Sequence, residues 1–328
     1  MTDSLRWGIL ATGGIARLFV NDLKLNGFDV RAVGSRSEES AARFAAEFGI
    51  PNVHGSYESL VADPEVDAIY VATPHPMHAA NATLALEAGK HVLVEKAFTL
   101  NAREAHEIAD LAEARGLVAL EAMWTRYLPH MIRIRELIAA GAIGEPRSLV
   151  ADHTQLLPED PAHRLNALEL GGGALLDLGI YPISFAWDLF GAPAEVKASA
   201  TFKPTGADAQ VATIFTYGDG RIATTLSASN TRGPNSAVVL GTEARIEIDA
   251  VWYSPTTFRL VRPDGEVIET YVSEVHGRGM HYQAAALEQA VAGGRLDGGD
   301  ILPTRESVAI METLDRIREQ IGLRYPGE

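Results

Sequence analysis

The chain has 328 residues, of which 47% are hydrophobic, and this length suits two packed domains at the usual size of about 150 residues each. Its 43 acidic and 28 basic residues give a formal net charge of −15, so its surface repels nucleic acid and anionic membranes. The chain has no cysteine, no apolar run of about 18 residues and no apolar signal-peptide core. These features predict a cytoplasmic protein without disulfides.

A predicted strand at Arg6–Leu10 leads into a glycine-rich turn that opens a helix ending near Leu25. The turn comprises Ala11, Thr12, Gly13, Gly14 and Ile15. At such a turn the backbone can approach a pyrophosphate, and the first helical N–H groups can bind it. Ala11 stands where the first glycine of the G-x-G-x-x-G/A pattern is expected. The segment therefore predicts a dinucleotide site, with an ordinary tight turn as the alternative.

A second predicted strand, Asp29–Gly34, ends where NAD enzymes carry an acidic residue for the ribose hydroxyl. This chain has Ser35 and Arg36 there. A hydroxyl followed by a guanidinium suits a 2′-phosphate, which a carboxylate would repel. NADP is therefore the favoured cofactor and NAD remains possible. The alternative is that the serines cap the next helix and Arg36 is merely solvated.

Two further strand ends carry polar groups. The predicted strand Ala68–Ala72 leads into a rigid loop expected to seat the nicotinamide ribose, through Thr73, Pro74, His75 and His78. A metal is not expected there, because the chain offers neither cysteine nor a third ligand at matching spacing. The strand at His91 ends in Glu95 and Lys96, and Lys96 would be the first polar side chain beyond the sheet, able to touch cofactor and substrate. A solvated turn lysine is the alternative.

The pattern changes near Glu121. Before it, short apolar strands alternate with helices, as in a doubly wound α/β sheet. From Leu149 onward, alternating segments separated by turns predict a mainly antiparallel sheet. Helices near 171–189, 282–292 and 304–321 are expected to cover one face. We therefore predict a Rossmann dinucleotide-binding domain at 1–122 and an α+β substrate-binding and dimerisation domain at 123–328.

The second domain carries a candidate substrate pocket and a candidate acid/base pair. Aromatic and polar side chains suited to a sugar or cyclic diol are Trp124, Arg126, Tyr127, His153, Gln155 and Arg164. Trp124 could instead pack between domains, and the two arginines could clamp an anionic sugar. After three glycines, Asp177 and Tyr181 lie at i and i+4, on one face of a helix. The alternative is a buried structural tyrosine.

The chain is similar to the Gfo/Idh/MocA oxidoreductase family, most of all to its dihydrodiol and D-xylose dehydrogenase branch. The similarity lies in GILATGGIA, GSRS, VATPHPMH, AGKHVLVEKAF, LEAMWTRYLP and GGGALLDLGIYPI, and extends from Trp7 to the closing LDRIREQIGLRYP. The family's central motif is E-K-P, and Ala97 replaces its proline here. The similarity implies NADP-dependent hydride transfer on a sugar or cyclic diol, in a homodimer or higher oligomer built through the open sheet face.

The family's acid/base position falls on Tyr181, a tyrosine in the dihydrodiol branch as well. A free phenol has a pKa near 10, and the similarity implies that the ammonium of Lys96 lowers it, so that Tyr181 can take the hydroxyl proton. Asp177 would orient Lys96 or the substrate hydroxyl. A non-catalytic NADP-binding regulator and a redox-assisted glycoside hydrolase are the alternatives. Retention of Lys96 and Tyr181 disfavours the regulator, and tyrosine rather than histidine at 181 disfavours the hydrolase.

Overall fold

Six short strands form a fully parallel sheet in the first part of the computed structural model, which describes residues 4–328. The strands are β1 Arg6–Leu10, β2 Asp29–Gly34, β3 Asn52–His54, β4 Ala68–Val71, β5 His91–Glu95 and β6 Ala119–Ala122. They lie in the order β3-β2-β1-β4-β5-β6. The central strands are almost continuously apolar because helices cover both faces of such a sheet. The order reverses between β1 and β4, where open α/β sheets bind ligands. The predicted doubly wound fold is confirmed.

Local signals explain where the helices around this sheet begin and end. The helices are α1 Gly14–Leu25, α2 Glu38–Phe48, α3 Tyr57–Val61, α4 His78–Glu87 and α5 Ala102–Arg115. Ser37 caps α2, Ser56 caps α3 and Asn101 caps α5, each through a side-chain oxygen that accepts a backbone N–H. Gly49 and Gly116 end α2 and α5 in the left-handed conformation.

An eight-stranded, mainly antiparallel sheet follows, as predicted. Its strands are β7 Pro146–Thr154, β8 Glu195–Phe202, β9 Asp208–Thr216, β10 Ile222–Ala228, β11 Ala237–Gly241, β12 Arg245–Ile248, β13 Phe258–Val261 and β14 Val267–Tyr271. The order is β14-β13-β12-β11-β7-β10-β9-β8, and only β7 and β10 pair in parallel among the strands of this sheet in residues 4–328. The side chain of Gln320 hydrogen-bonds the backbone of the edge strand β8: it donates to the carbonyl of Val196 and accepts the N–H of Ala198. It thereby covers part of the open edge.

The remaining helices are α6 Pro129–Ala139, α7 Ile180–Phe190, α8 His281–Ala292 and α9 Thr304–Ile321. A π-helical turn, Leu175–Gly179, leads directly into α7. The chain forms two compact units. One comprises the residues up to Trp124 together with His276–Met311, and the other comprises Thr125–Val275 together with Glu312–Glu328. The first break, Trp124/Thr125, lies two residues after the predicted division at 122/123, and the chain returns to the first unit at His276.

The placement of α8 differs from the prediction that it covers the second sheet. This helix belongs to the first unit and packs against α1. The indole N–H of Trp7 donates to Glu288 at 3.0 Å, and the carboxylate of Asp22 accepts the backbone N–H groups of Arg278 and Met280. These long-range bonds, rather than the helical pattern itself, determine which unit the helix joins.

A buried ion cluster fixes α7 within the second unit. Asp188 of α7 lies 3.4 Å from the guanidinium of Arg126 and 2.8 Å from that of Arg135. Arg126 also donates to the carbonyl of Ser184 at 2.7 Å, and its carbonyl accepts from Arg135. Buried charges remain ionised only when paired and hydrogen-bonded in this way. Arg126 therefore holds α7 against the segment that precedes α6.

Candidate active site

The turn after β1 has the shape that a pyrophosphate needs. Ala11 adopts a φ of +88° in the left-handed region, at a cost on the order of 1 kcal/mol for a residue other than glycine. Gly13 precedes α1 with no side chain to cap its first N–H groups. A Cβ at Gly13 or Gly14 would meet only open space. The helix start is therefore uncapped and accessible, as anion binding requires.

Ser35 and Arg36, the two residues after β2, differ in their exposure to solvent. Ser35 is 9% exposed, and its hydroxyl accepts the N–H of Ser37 at 3.4 Å. Arg36 is exposed, and its charge opposes the rise that burial causes in the pKa of the Tyr57 phenol. Ser37 caps α2, so the capping role predicted as the alternative applies to Ser37. Ser35 and Arg36 place further polar groups at the end of β2. These groups can serve a ribose or a 2′-phosphate.

His78 joins the loops that follow β4 and β5. Its two ring nitrogens lie 2.8 Å from the carbonyl of Thr73 and 3.0 Å from that of Ala97. Burial lowers the pKa of His78 to about 4, so the ring is neutral and donates to one of these carbonyls at a time. His78 is 1% exposed. The structure therefore gives it a part in shaping the loops rather than a free ring atom for the nicotinamide ribose.

The loop that carries Lys96 is held by several further bonds. His75 donates a ring N–H to the Lys96 carbonyl at 3.2 Å, and the Lys96 N–H lies 3.3 Å from the Glu95 carboxylate. Glu95 also accepts the phenol of Tyr70. Beyond the lysine, the N–H of Phe98 donates to Glu121 at 3.1 Å. The backbone on both sides of Lys96 is thus fixed, which a reacting group requires.

Sequence reasoning missed Tyr70, Asn81 and Glu121 as supports of these loops. Asn81 donates to the hydroxyl of Thr73 at 3.1 Å. A signal existed for Glu121, which is a buried carboxylate near the end of β6 just as Glu95 ends β5. Acidic residues at the ends of buried strands need partners. Tyr70 of β4 supplies one for Glu95, and the backbone of Phe98 supplies one for Glu121.

An aromatic cluster surrounds Tyr181 in the second unit. The Tyr181 ring lies 4.9 Å from that of His153, edge to face, and 5.2 Å from that of Tyr253. His153 and Tyr253 stack at 3.7 Å. Gln155 donates to the imidazole at 2.9 Å and lies 3.4 Å from the Tyr253 hydroxyl. The predicted residues Tyr181, His153 and Gln155 are therefore brought together, and Tyr253 is a member that sequence patterns did not identify.

Asp177 and Arg164 form a second polar group in this unit. The guanidinium lies 3.3 Å from the Asp177 carboxylate. The arginine side chain is 51% exposed and the aspartate side chain 12%. Asp177 lies in the π-helical turn, and such turns concentrate at functional sites. The pair offers both a donor and an acceptor to a hydroxylated ligand.

The other three predicted pocket residues are buried. Trp124 belongs to the first unit, where the guanidinium of Arg278 stands 5.3 Å from its ring. Arg126 is 2% exposed and belongs to the ion cluster with Asp188. Tyr127 is also 2% exposed. Of these three, Arg126 differs most from the expectation of a pocket-facing side chain.

Within residues 4–328, no group of three or more histidine, cysteine, aspartate or glutamate side chains is arranged to hold a metal ion.

Comparison with known protein families gives two matches that together span most of the chain. A model described as an oxidoreductase family with an NAD-binding Rossmann fold matches residues 5–122. A model of the GFO/IDH/MocA C-terminal domain matches residues 131–247.

Individual proteins show the same similarity. A D-xylose 1-dehydrogenase (NADP(+)) of Hypocrea jecorina is 37% identical over 98% of this chain and 93% of its own length. A trans-1,2-dihydrobenzene-1,2-diol dehydrogenase of Mus musculus is 34% identical over 98% of both chains. The crystal structure of a 3-ketoreductase from Actinomadura kijaniata, in complex with NADP and TDP-benzene, matches with a TM-score of 0.86 and 28% identity, over 97% of this chain and 98% of that one.

Proposed function

The chain belongs to the GFO/IDH/MocA oxidoreductase family, as its motifs predicted, and we propose that it is an NADP-dependent dehydrogenase or reductase of sugars or cyclic diols. The observation that carries the proposal is the Tyr181 cluster, a phenol seated among aromatic rings with the Asp177–Arg164 pair in the same unit. The named relatives support both the cofactor and the substrate class.

In the proposed reaction Tyr181 takes the proton of the substrate hydroxyl, or donates it to a carbonyl in the reverse direction. Bound NADP supplies the hydride acceptor. Lys96, whose backbone is fixed on both sides, favours the phenolate through its positive charge. Asp177 accepts from the substrate hydroxyl. Aromatic faces at His153 and Tyr253 suit the apolar face of a sugar or diol ring.

A substrate panel tests the proposal. With NADP, the protein should accumulate reduced nicotinamide when given xylose, glucose or a trans cyclic diol, measured by near-ultraviolet absorbance. A regulator would bind NADP without turnover, and a redox-assisted hydrolase would release sugar without net reduction. Because Arg164 is half exposed, sugar phosphates and sugar acids belong in the panel. A strong preference for either anion would overturn the assignment of a neutral substrate and make Arg164 its charge partner.

Cofactor choice is tested at Ser35. We expect Ser35→Asp to weaken NADP binding on the order of 10-fold or more and to strengthen NAD binding, because a carboxylate repels the 2′-phosphate and accepts from ribose hydroxyls. Calorimetric titration gives both dissociation constants. Ser40→Asp, in the first turn of α2, adds the same charge nearby and should leave the preference unchanged. Wild-type protein that binds NAD as tightly as NADP would contradict the assignment.

The chemistry is tested at Tyr181 and Lys96. Tyr181→Phe or Lys96→Ala should lower turnover on the order of 100-fold or more, the usual scale for loss of a general acid or base, while NADP binding is retained. Tyr217→Phe removes a buried phenol elsewhere in the same unit and should retain turnover. Lys96→Met should shift the rise of the oxidation rate to higher pH. Near-normal turnover of Tyr181→Phe would exclude the acid/base role.

We further propose a homodimer formed through the open face of the second sheet. Val150, Ile214 and Leu226 are 50%, 47% and 39% exposed there, and Val150 and Ile214 both pair with Thr224, so they share one face. A cluster of exposed apolar side chains of this kind favours an interface. Sedimentation should give twice the 35.2 kDa chain mass. Val150→Glu should yield monomers, whereas Leu25→Glu, at the exposed end of α1, should not. A monomeric wild type would refute this.

The cytoplasmic location also stays a proposal, supported by the acidic charge and the lack of cysteine. Among the helices described in residues 4–328, none has both the length and the apolarity needed to cross a membrane. Cell fractionation checks the compartment, and recovery outside the cytoplasmic fraction would contradict the proposal.

A further inference from the structure

Asp208, the first residue of β9, is a buried carboxyl group that the proposed reaction does not use. Its side chain is fully inaccessible to solvent. Its Oδ2 accepts the N–H of Leu175 at 2.6 Å. Burial raises the pKa of Asp208 to about 6, against the opposing effects of the amides of Leu175 and Ala174 and the ammonium of Lys203. Burying a carboxyl group costs free energy unless the group is hydrogen-bonded, and the N–H of Leu175 supplies such a bond.

The residues before Leu175 explain why the acceptor comes from a distant strand. A helix start is usually capped by the side chain of the residue that precedes it. Here that residue is Ala174, which has no capping side chain and follows three glycines, 171–173. Gly173 has a φ of +137°, and a Cβ there would lie 1.9 Å from Oδ1 of Asp208. The glycine thus makes room for the carboxylate. On the other side, Tyr325 donates to the Gly172 carbonyl at 3.3 Å.

The anchored segment leads directly to the proposed catalytic groups. The π-helical turn Leu175–Gly179 contains Asp177, and α7 begins at Ile180 and contains Tyr181. Successive residues of a helix are rotated by about 100°, so a shift at the first turn redirects every side chain after it. Farther along, a Cβ at Gly179 would lie 2.9 Å from the Ser227 hydroxyl of β10. The helix is therefore held at its start by Asp208 and along its length by the sheet.

We propose that Asp208 is a positioning residue, which sets the direction of Tyr181 and Asp177 by holding the first turn of their helix to β9. The inference rests on the proposed function, because it gives Tyr181 the acid/base role. Misplacing a reacting group by about 1 Å can cost on the order of 100-fold in rate, so a weakened anchor should appear in kcat. A purely structural carboxylate would affect stability alone.

A double-mutant cycle between Asp208 and Tyr181 tests this. Asp208→Asn keeps the shape and one acceptor oxygen but loses the charge, and charge-assisted hydrogen bonds are about twice as strong as neutral ones. At pH 8 and saturating NADP and substrate, D208N should lower kcat on the order of 10-fold with the NADP dissociation constant unchanged. Combined with Y181F, it should cause little further loss, because the group that it positions is gone. Asp208→Ala should cost more than D208N.

Thr213→Val is the matched control. Thr213 lies on the same strand, and its buried hydroxyl bonds that of Thr225 at 2.6 Å, so the variant loses a buried hydrogen bond without touching the helix start. T213V should lower the melting temperature and retain kcat. Equal kcat losses in D208N and T213V, or the same D208N loss with and without Y181F, would overturn the positioning role. Near-normal turnover of Y181F alone would instead remove the proposed function, and this inference with it.

Discussion

The proposed cofactor site and the proposed acid/base site both depend on how the unpaired N–H groups at helix starts are satisfied. The first four amides of a helix have no partner within it. Helices α2, α3 and α5 use ordinary serine or asparagine caps. Two glycine-rich helix starts have no such cap. The first N–H groups of α1 face open space, whereas the N–H of Leu175 donates to the carboxylate of Asp208 on a distant strand. Helix N–H groups without an acceptor can bind an anion. Helix N–H groups bonded to a distant side chain can fix the direction of the helix.

Buried polar groups perform the corresponding task at the strand ends. His78, Glu95 and Glu121 are each 5% exposed or less, and each hydrogen-bonds backbone groups of the loops beside β4 and β5. Removing such groups from water is unfavourable unless they find partners. Because the partners are backbone atoms of the loops, satisfying these side chains also fixes the backbone around Lys96. Loop rigidity here is a consequence of hydrogen-bond satisfaction.

Local sequence patterns predicted most of the strands and helices. The features that they did not predict depend on contacts between residues far apart in sequence. Strand and helix bounds such as Asp29–Gly34 and the start of α1 follow from apolar periodicity and glycine placement. The partners of Arg126 and the membership of α8 in the first unit depend on Asp188, Glu288 and Asp22, which no periodicity links. Tyr253 is likewise far from Tyr181 in sequence. Such pairings arise only when the sheet brings separate segments together.

The two units also differ in the groups that they offer to a ligand. The first unit offers backbone groups, namely the open amides of α1 and the loops held by His75 and His78, beside the side chains of Ser35 and Arg36. Backbone groups tolerate side-chain replacement nearby. In the second unit the polar and aromatic surface consists of side chains, with Arg164 half exposed and not part of the buried core. Substitution of Arg164 alters hydrogen bonding and charge at a half-exposed side chain that belongs to neither sheet. Relatives that share the fold can therefore carry names as different as xylose dehydrogenase and diol dehydrogenase, because substrate choice and fold depend on different residues.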